Sequence, residues 1–337
     1  MKTRVTIGIF LVLTVLAMAS LFSPGQAQKV SAVQTDAAGS PPPLSNPLKV
    51  ALLKWYQINL VPTTFTVGKQ PNSIAFDGAN IWVANYVDNT VSKLRANDGT
   101  ALGTFKVGFF PAGVTFDGAN VWVSNGGDET VTKLRASDGS TLGTFTVGPN
   151  PFWMAFDGAN LWVTTAPSSG NGSVVKVRAS DGKIVGNFTV GRGPVAAACD
   201  GANIWVTNEG DNTVTKLRAR DGAVLGTFSV GLQPLGIAFD GANIWVANFN
   251  DDFVTKLRAS DGSSLGTFRV PGATPYGVAF DGANIWVSGD VFFSELRASD
   301  GALLGQWRAP GTNTTGIAFD GANIWLAGLN NATVMKF

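Results

Sequence analysis

The decapeptide FDGANIWVAN occupies Phe76–Asn85 and returns unchanged at Phe239–Asn248. Five near copies accompany these two, and the successive DGAN motifs are spaced 40, 40, 43, 40, 41 and 39 residues apart. Self-similarity at a fixed period of this length indicates a repeat architecture. The Asp of each motif is followed five residues later by a Trp, which gives seven pairs: Asp77 and Trp82, Asp117 and Trp122, Asp157 and Trp162, Asp200 and Trp205, Asp240 and Trp245, Asp281 and Trp286, and Asp320 and Trp325.

Each repeat contains four short runs of strand composition. In the first repeat these runs are SIAFD (Ser73–Asp77), NIWVAN (Asn80–Asn85), TVSKLRA (Thr90–Ala96) and LGTFKVG (Leu102–Gly108). The Gly, Asn and Asp residues between the runs are typical of tight turns. Four strands in about 40 residues are the period of a propeller blade. We therefore predict an all-β fold, a seven-bladed β-propeller with four-stranded antiparallel blades.

A second turn motif, RAxDG, predicts how the ring closes. It occurs only six times, because the last repeat stops at ATVMKF (Ala332–Phe337), after its third strand. The missing fourth run, TTFTVG, stands at Thr63–Gly68, before the first DGAN. We expect this N-terminal strand to complete the C-terminal blade, because closure removes the two exposed edges of an open array.

Two stretches carry a resemblance to known proteins. VANYVDNTVSKL (Val83–Leu94) and VTNEGDNTVTKL (Val206–Leu217) resemble the YVTN-type β-propeller repeat. The region from Thr63 to Phe337 resembles the wider group that includes the NHL-like and virginiamycin B lyase-like propellers. The resemblance implies the fold, whereas such propellers serve as binding modules, surface proteins and occasionally enzymes. Virginiamycin B lyase-like enzymes use a catalytic His with a divalent metal, and this chain has no His, so the resemblance does not imply lyase activity.

The N-terminal residues predict export. Lys2 and Arg4 precede an apolar run from Val5 to Phe22 and small residues that end at Ala27, so residues 1–27 have the pattern of a signal peptide. An uncleaved membrane anchor is the alternative, because the run approaches the ~18 residues that span a bilayer. Residues 28–47 indicate a flexible tether rich in Pro, Ser and Ala, and residues 48–61 an apolar arm before the propeller at residues 62–337. We expect a protein that is secreted or at the cell surface.

Composition excludes several classes of partner. The chain has 24 basic and 23 acidic residues, and without Lys2 and Arg4 the balance is 22 to 23. A net charge near −1 does not attract nucleic acid or an anionic membrane, and we expect neither as a partner. Cys199 is the single cysteine and falls at a core position of an innermost strand. We expect a monomer without a cofactor.

Residues that recur in every repeat are explained by the needs of the scaffold. We therefore look for function among the residues that vary between repeats. We expect the seven Trp to pack between blades and the seven Asp to form turns. Lys216 and Arg218, in the third strand of their repeat, are expected in a solvated or Asp-paired belt. In a propeller the DGAN and RAxDG turns share one face, here called the constant face. The loops between second and third strands share the other, the variable face, with the links between blades.

All candidate ligand-binding residues lie on the variable face, where loops rest on a rigid scaffold. Aromatic rings beside amides and carboxylates suit a sugar or peptide ligand. Phe109, Phe110, Phe152 and Trp153 come from two neighbouring links and are expected to lie close together. The alternative to ligand binding is that Phe109, Phe152 and Trp153 plug the mouth of the central channel. The candidates are Phe109, Phe110, Phe152, Trp153, Tyr276, Tyr86, Phe249, Glu209 and Asp211.

Three functions remain open. Without His, the chain has neither Ser–His nor Cys–His nucleophile systems, and we assign no catalytic residue. Carboxylates of Glu209, Asp211 and Asp290 leave open a histidine-free hydrolase or lyase, and Asp251 and Asp252 are weak metal candidates. A structural cell-envelope protein is the third reading. We favour a non-catalytic recognition module for an extracytoplasmic protein, peptide or glycan.

Overall fold

Every repeat folds into one sheet of four antiparallel strands. The structure is a computed structural model that describes residues 62–309 and 313–337. Seven such sheets form the seven-bladed β-propeller that the repeat predicts. The predicted signal peptide (1–27), tether (28–47) and arm (48–61) lie outside the described residues. The described part of the chain contains no helix with the length and apolarity that a bilayer crossing needs.

The first three blades are formed by consecutive strands. Blade 1 consists of β2 (Pro71–Phe76), β3 (Asn80–Asn85), β4 (Thr90–Arg95) and β5 (Ala101–Lys106). Blade 2 consists of β6 (Pro111–Phe116), β7 (Asn120–Asn125), β8 (Thr130–Arg135) and β9 (Thr141–Thr146). Blade 3 consists of β10 (Pro151–Phe156), β11 (Asn160–Thr165), β12 (Asn171–Arg178) and β13 (Ile184–Arg192).

The next three blades follow the same order. Blade 4 consists of β14 (Pro194–Cys199), β15 (Asn203–Asn208), β16 (Thr213–Arg218) and β17 (Val224–Ser229), with a short 3-10 helix at Glu209–Asp211. Blade 5 consists of β18 (Pro234–Phe239), β19 (Asn243–Asn248), β20 (Phe253–Arg258) and β21 (Ser264–Arg269). Blade 6 consists of β22 (Val278–Phe280), β23 (Asn284–Val287), β24 (Phe292–Arg297) and β25 (Leu303–Arg308).

Blade 7 joins the two ends of the described chain. It contains β26 (Thr314–Phe319), β27 (Ile324–Gly328), β28 (Thr333–Lys336) and, as its fourth strand, β1 (Thr63–Thr66). Thr63 pairs with Lys336 and Thr66 with Thr333. The innermost strands contact one another in sequence, and β26 of blade 7 contacts β2 of blade 1. The predicted closure by the N-terminal strand is therefore confirmed.

The repeated Trp packs between blades, as predicted. Trp82 is fully buried with Val114 and Val121 of the next blade, and its ring lies 5.6 Å from that of Phe105. Its indole Nε1 donates to the Asp77 carboxylate over 2.7 Å, so the turn residue also orients the core residue. All seven Trp make this bond to the Asp five residues earlier.

The prediction of a solvated lysine belt is wrong. Lys216 is only 5% exposed, and its Nζ lies 4.9 Å from the ring centroid of Trp205. The same Nζ donates to the carbonyl oxygens of Ala259 and Ser260, which belong to the next blade. The apolar stem covers the indole while the ammonium finds two acceptors, so the charge is buried with partners. Equivalent lysines contact the Trp of their own blade and the next turn at Lys93, Lys133, Lys176, Lys256 and Lys336.

The arginine two residues later behaves as predicted. Arg218 donates to Asp221 over 3.1 Å on the surface of the constant face. Lys216 and Arg218 are two residues apart and point to the same side of β16, so their different environments follow from their positions along it. Lys216 lies beside the turn that the next blade supplies, whereas Arg218 ends the strand next to the turn of its own blade.

Blade 6 is the exception, because Glu295 occupies the lysine position. Its neighbour, blade 7, has no RAxDG turn to supply carbonyl acceptors, since its fourth strand is β1. The ring of Phe337 takes up this space and lies 5.6 Å from Trp286, 4.9 Å from Phe293 and 4.9 Å from Trp307. An aromatic cluster therefore replaces the ammonium contact at this one seam.

Cys199 is half-buried at the end of β14 and packs against the core between blades 3 and 4. Burial raises the pKa of its thiol. Both features fit the core position expected from the sequence.

A pair of substitutions on β16 tests the lysine contact. Lys216→Met leaves two carbonyls of the next blade without their donor, and we expect it to lower the free energy of unfolding by about 1–3 kcal/mol. Arg218→Met, which removes only an exposed ion pair, should produce no measurable change. Urea unfolding of both variants decides the point, and equal stabilities would contradict the assignment.

Glu295 predicts a pH dependence of stability at the closing seam. Burial raises the pKa of Glu295 above its usual value of 4.5, and the nearby Asp281 carboxylate adds to the rise. Stability from a raised carboxyl pKa is present in full below the unfolded-state pKa and is lost as pH rises through the folded-state pKa. In thermal melting from about pH 4 to pH 8, the melting temperature of the Glu295→Gln variant should therefore increase relative to that of the wild type as pH rises. A constant difference between the two proteins would refute this.

Candidate functional site

Backbone braces hold the links between blades on the variable face. The Gly108 N–H donates to Asn125 Oδ1 over 3.1 Å, and the Phe109 N–H donates to Asp128 Oδ2 over 2.7 Å. Both acceptors belong to the blade that the link enters. The same carboxylate brace recurs from Asp88 to Lys69 N, from Asp211 to Arg192 N and from Asp251 to Leu232 N. These four links are therefore each fixed to the blade that follows them.

One residue at an equivalent position in each link between blades has a left-handed backbone. Phe110 has φ of 54°, in a region that favours Gly and Asn. Its N–H donates to Asn89 Oδ1 over 2.9 Å, which holds the link in this conformation. The seven residues at this position are Gln70, Phe110, Asn150, Gly193, Gln233, Thr274 and Asn313. A Phe in the left-handed region costs about 1–2 kcal/mol, so the surrounding contacts must impose it.

Three of the predicted aromatic residues meet where blade 1 adjoins blade 2. The Phe110 ring stacks on that of Tyr86 at a centroid distance of 5.1 Å. Phe109 is 59% exposed and Phe110 46%, and Val87 beside them is also exposed. These four residues, Tyr86, Val87, Phe109 and Phe110, are called the aromatic patch. Val87 was not among the sequence candidates, because nothing in its own repeat marks it as exposed.

Four other predicted residues close the mouth of the central channel. Trp153 of blade 3 reaches Tyr276 of blade 6 at a ring distance of 6.4 Å, and Phe249 contacts Tyr276 edge-on at 5.8 Å. Phe152 lies beside Trp153 at 6.1 Å. Together they pack on Val195, Ala196 and Leu235, and they are called the channel plug. In this arrangement the channel is closed on the variable face.

Small residues on the other blades make room for Trp153. At the repeat position equivalent to Trp153 the other six blades carry Ser73, Gly113, Ala196, Gly236, Gly277 and Gly316. A single indole therefore fills a layer in which six side chains are small or absent. The sequence contains this signal, because the seven repeats carry one large residue and six small ones at this position.

A narrow cavity adjoins the plug. It has a volume of about 130 Å³, and residues from all seven innermost strands line it, Trp153 among them. Small-molecule sites are usually roughly 300–1,000 Å³, so this cavity suits a few waters rather than a sugar or peptide. Within the described residues, the Trp153 indole nitrogen is a buried polar atom without a hydrogen-bond partner.

The structure separates the aromatic residues that the sequence suggested would lie together. Within the described chain, Phe109 and Phe110 make no ring contact with Phe152 or Trp153. The two links are neighbours, but Phe152 and Trp153 belong to the innermost strand β10, whereas Phe109 and Phe110 belong to a link outside it. The spacing of the two links along the chain does not show which side chains lie on an innermost strand and which lie on a link.

The polar candidates already have protein partners. Glu209 Oε1 accepts a hydrogen bond from Gln233 Nε2 over 3.0 Å. Asp211 accepts from the backbone N and the Nε of Arg192, and these bonds lower the pKa of Asp211. Burial raises the pKa of the Tyr276 hydroxyl, and the Glu209 charge adds to the rise. These groups support the loops, and their role toward a ligand stays a prediction.

The carboxylates of the variable face do not converge. Among the residues that the structure describes, no group of three or more acidic, Cys or His side chains is arranged to hold a metal ion. Asp251 Oδ2 accepts from Leu232 N over 2.6 Å, which gives it the bracing role of its equivalents.

Comparison with known proteins supports the fold. No protein-family model matches the sequence, and neither does any curated protein. A streptogramin B lyase structure aligns with a TM-score of 0.68 at 17% identity, covering 82% of this chain and 96% of the other. Virginiamycin B lyase from Staphylococcus aureus aligns at 0.68 and 18%, covering 82% and 98%. Kuenenia stuttgartiensis hydrazine synthase aligns at 0.68 and 16%, covering 80% and 95%.

At these identities the likeness shows the propeller fold alone. The names of the aligned proteins denote different reactions, so the shared fold selects none of them.

Two substitutions at one position test the plug. Trp153→Phe removes an N–H that has no described partner and keeps most of the ring, so we expect a change in unfolding free energy of less than about 1.5 kcal/mol. Trp153→Ala empties the layer and should cost about 3–5 kcal/mol. Chemical denaturation measures both. A large loss in the Phe variant would mean that the N–H is hydrogen-bonded, for instance to water in the cavity.

Proposed function

We propose that this protein is a recognition module that binds a peptide or protein partner on its variable face, with the aromatic patch as the anchor. The exposure of two adjacent Phe side chains supports this most directly. Exposed aromatic residues are enriched at the energetic centres of interfaces. The repeated core already satisfies the needs of the scaffold, and no other blade carries a Phe pair in this link.

The patch is prepared for contact. Phe110 is held in a left-handed conformation by Asn89 and stacked on Tyr86, so its ring loses little freedom on binding. Phe109 is fixed at its backbone by Asp128. Strained residues kept in place by their surroundings are frequent at binding sites.

A peptide or protein fits the patch better than a small molecule or a glycan. Within the channel, the plug leaves a narrow cavity that is too small for a typical ligand. Asn89 and Asp128, beside the patch, each use one side-chain oxygen to hold the link, which reduces the polar groups that a sugar could use. The exposed neighbour Val87 extends the apolar surface instead.

A non-catalytic role and an extracytoplasmic location are part of this proposal. The absence of His from the sequence and the bracing role of the acids support the first. The signal-like N-terminal pattern supports the second. N-terminal sequencing of the protein exported from its host would test the cut after Ala27.

A binding screen tests the proposal. The purified protein is applied to peptide and glycan arrays, beside a variant with Phe109→Ser and Phe110→Asn. Asn already occupies the equivalent left-handed position at Asn150 and Asn313, so the backbone should be retained. We expect peptide binding that the variant weakens about tenfold or more.

Leu225→Ser is the matched control, because Leu225 is 43% exposed but lies on the outer strand β17. It should bind as the wild type does. Equal binding by the Phe109→Ser/Phe110→Asn variant, or a preference for glycans that survives it, would overturn the proposal.

A further inference from the structure

We infer that the partner of the variable face is basic: a peptide segment that joins an apolar or aromatic anchor to several Lys or Arg residues. The inference rests on the proposed function and adds the charge of the ligand to it. It comes from the distribution of ionisable side chains between the two faces of the ring.

The two faces differ in net charge. On the constant face the described residues include 14 acidic and 14 basic side chains, which balance. The variable face has eight acidic and five basic side chains, a net of −3. The acids are Asp88, Asp128, Glu129, Glu209, Asp211, Asp251, Asp252 and Asp290, and the bases are Lys69, Lys106, Arg192, Arg269 and Arg308.

The pattern of ion pairs also differs between the faces. On the constant face six Arg–Asp pairs repeat from blade to blade, for example Arg95 with Asp98 and Arg218 with Asp221. On the variable face the described residues contain one ion pair, Arg192 with Asp211 at 2.6 Å. The other seven carboxylates of that face have no basic nitrogen of a described residue within 4.0 Å. Eight carboxylates of the constant face also lack an ion pair, but seven of them accept the indole N–H of a core Trp. The field of the variable-face carboxylates therefore reaches solvent and an approaching partner.

The hydrogen bonds to the links explain why some acids occur on the variable face. They do not explain why these acids form so few ion pairs with described basic residues. Asp88, Asp128, Asp211 and Asp251 accept backbone N–H groups of the links, a task for which Asn also serves, as Asn125 does for Gly108. Glu129 and Asp252 accept no hydrogen bond through their side chains in the described structure and are not buried. These two carboxylates have no bracing role.

The acidic side chains adjoin the anchor. Asp128 holds the Phe109 N–H, Glu129 follows Asp128 in the chain, and Asp88 lies in the loop that carries Tyr86 and Val87. Lys69 and Lys106 lie beside these three acids, so the rim of the anchor is acidic by one charge within a face whose net charge is −3. A charged rim around an apolar centre accelerates association and selects partners of opposite charge. A basic partner gains from this rim, whereas an acidic one is repelled.

The test compares three synthetic peptides that share the same Phe and Leu positions. Their remaining positions are all Lys, all Gln or all Glu. Binding to the full-length protein is measured by fluorescence anisotropy at low and high salt. We expect affinity in the order Lys, Gln, Glu, with the Lys peptide weakened about tenfold by salt and the Gln peptide unchanged.

Matched charge variants locate the effect. Glu129→Gln with Asp252→Asn removes two charges from the variable face without removing a described hydrogen bond. It should weaken the Lys peptide roughly three- to tenfold and leave the Gln peptide unaffected. Asp138→Asn with Asp261→Asn makes the same change in net charge on the constant face and should have no effect.

The outcomes separate the two proposals. If the three peptides bind equally and all are lost in the Phe109→Ser/Phe110→Asn variant, recognition by the patch stands and the charge inference is overturned. If the Lys peptide binds but is insensitive to that variant, the patch is not the anchor and the proposed function is overturned. Failure of all three peptides to bind overturns both.

Discussion

The contact between neighbouring blades depends on one arrangement of Trp, Asp and Lys. The indole N–H of Trp205 is fixed by Asp200, its ring carries the ammonium of Lys216, and that ammonium donates to the turn of the next blade. A buried ammonium is costly unless its hydrogen bonds are satisfied, so each blade requires the next one to be in place. A sheet of four strands with such a face is stable only as part of the ring.

The contact between blades 6 and 7 shows what replaces the lysine where the next blade has no turn to accept it. Blade 7 receives its fourth strand from β1, so it has no RAxDG turn and no carbonyls for a lysine of blade 6. The chain carries Glu295 there, with Phe337 and Trp307 in the space that a turn fills elsewhere. Lys336 of blade 7 does find carbonyls at Ala96 and Asn97, so the following seam is regular. A change in connectivity thus appears as a change in side-chain chemistry.

A ring held together in this way leaves its variable face free to differ from blade to blade. The differences have two physical consequences there. Inside, one indole among small residues closes the channel. Outside, two Phe side chains remain exposed beside carboxylates that form no ion pair with a described residue. A closed channel and an exposed patch together favour contact with another chain over capture of a small ligand, since buried concave volume is what small ligands require.

The sequence alone determined the number of blades, their four strands, the closure through Thr63–Gly68 and the packing of the Trp residues, because each follows from periodicity and turn chemistry. It also indicated which face varies. Tertiary structure alone decided that Lys216 is buried, that Asp211 and Asp251 brace the links, and that Phe110 and Trp153 belong to separate groups. These depend on contacts across the gap between blades and on radial distance from the axis, which neither spacing along the chain nor residue type records.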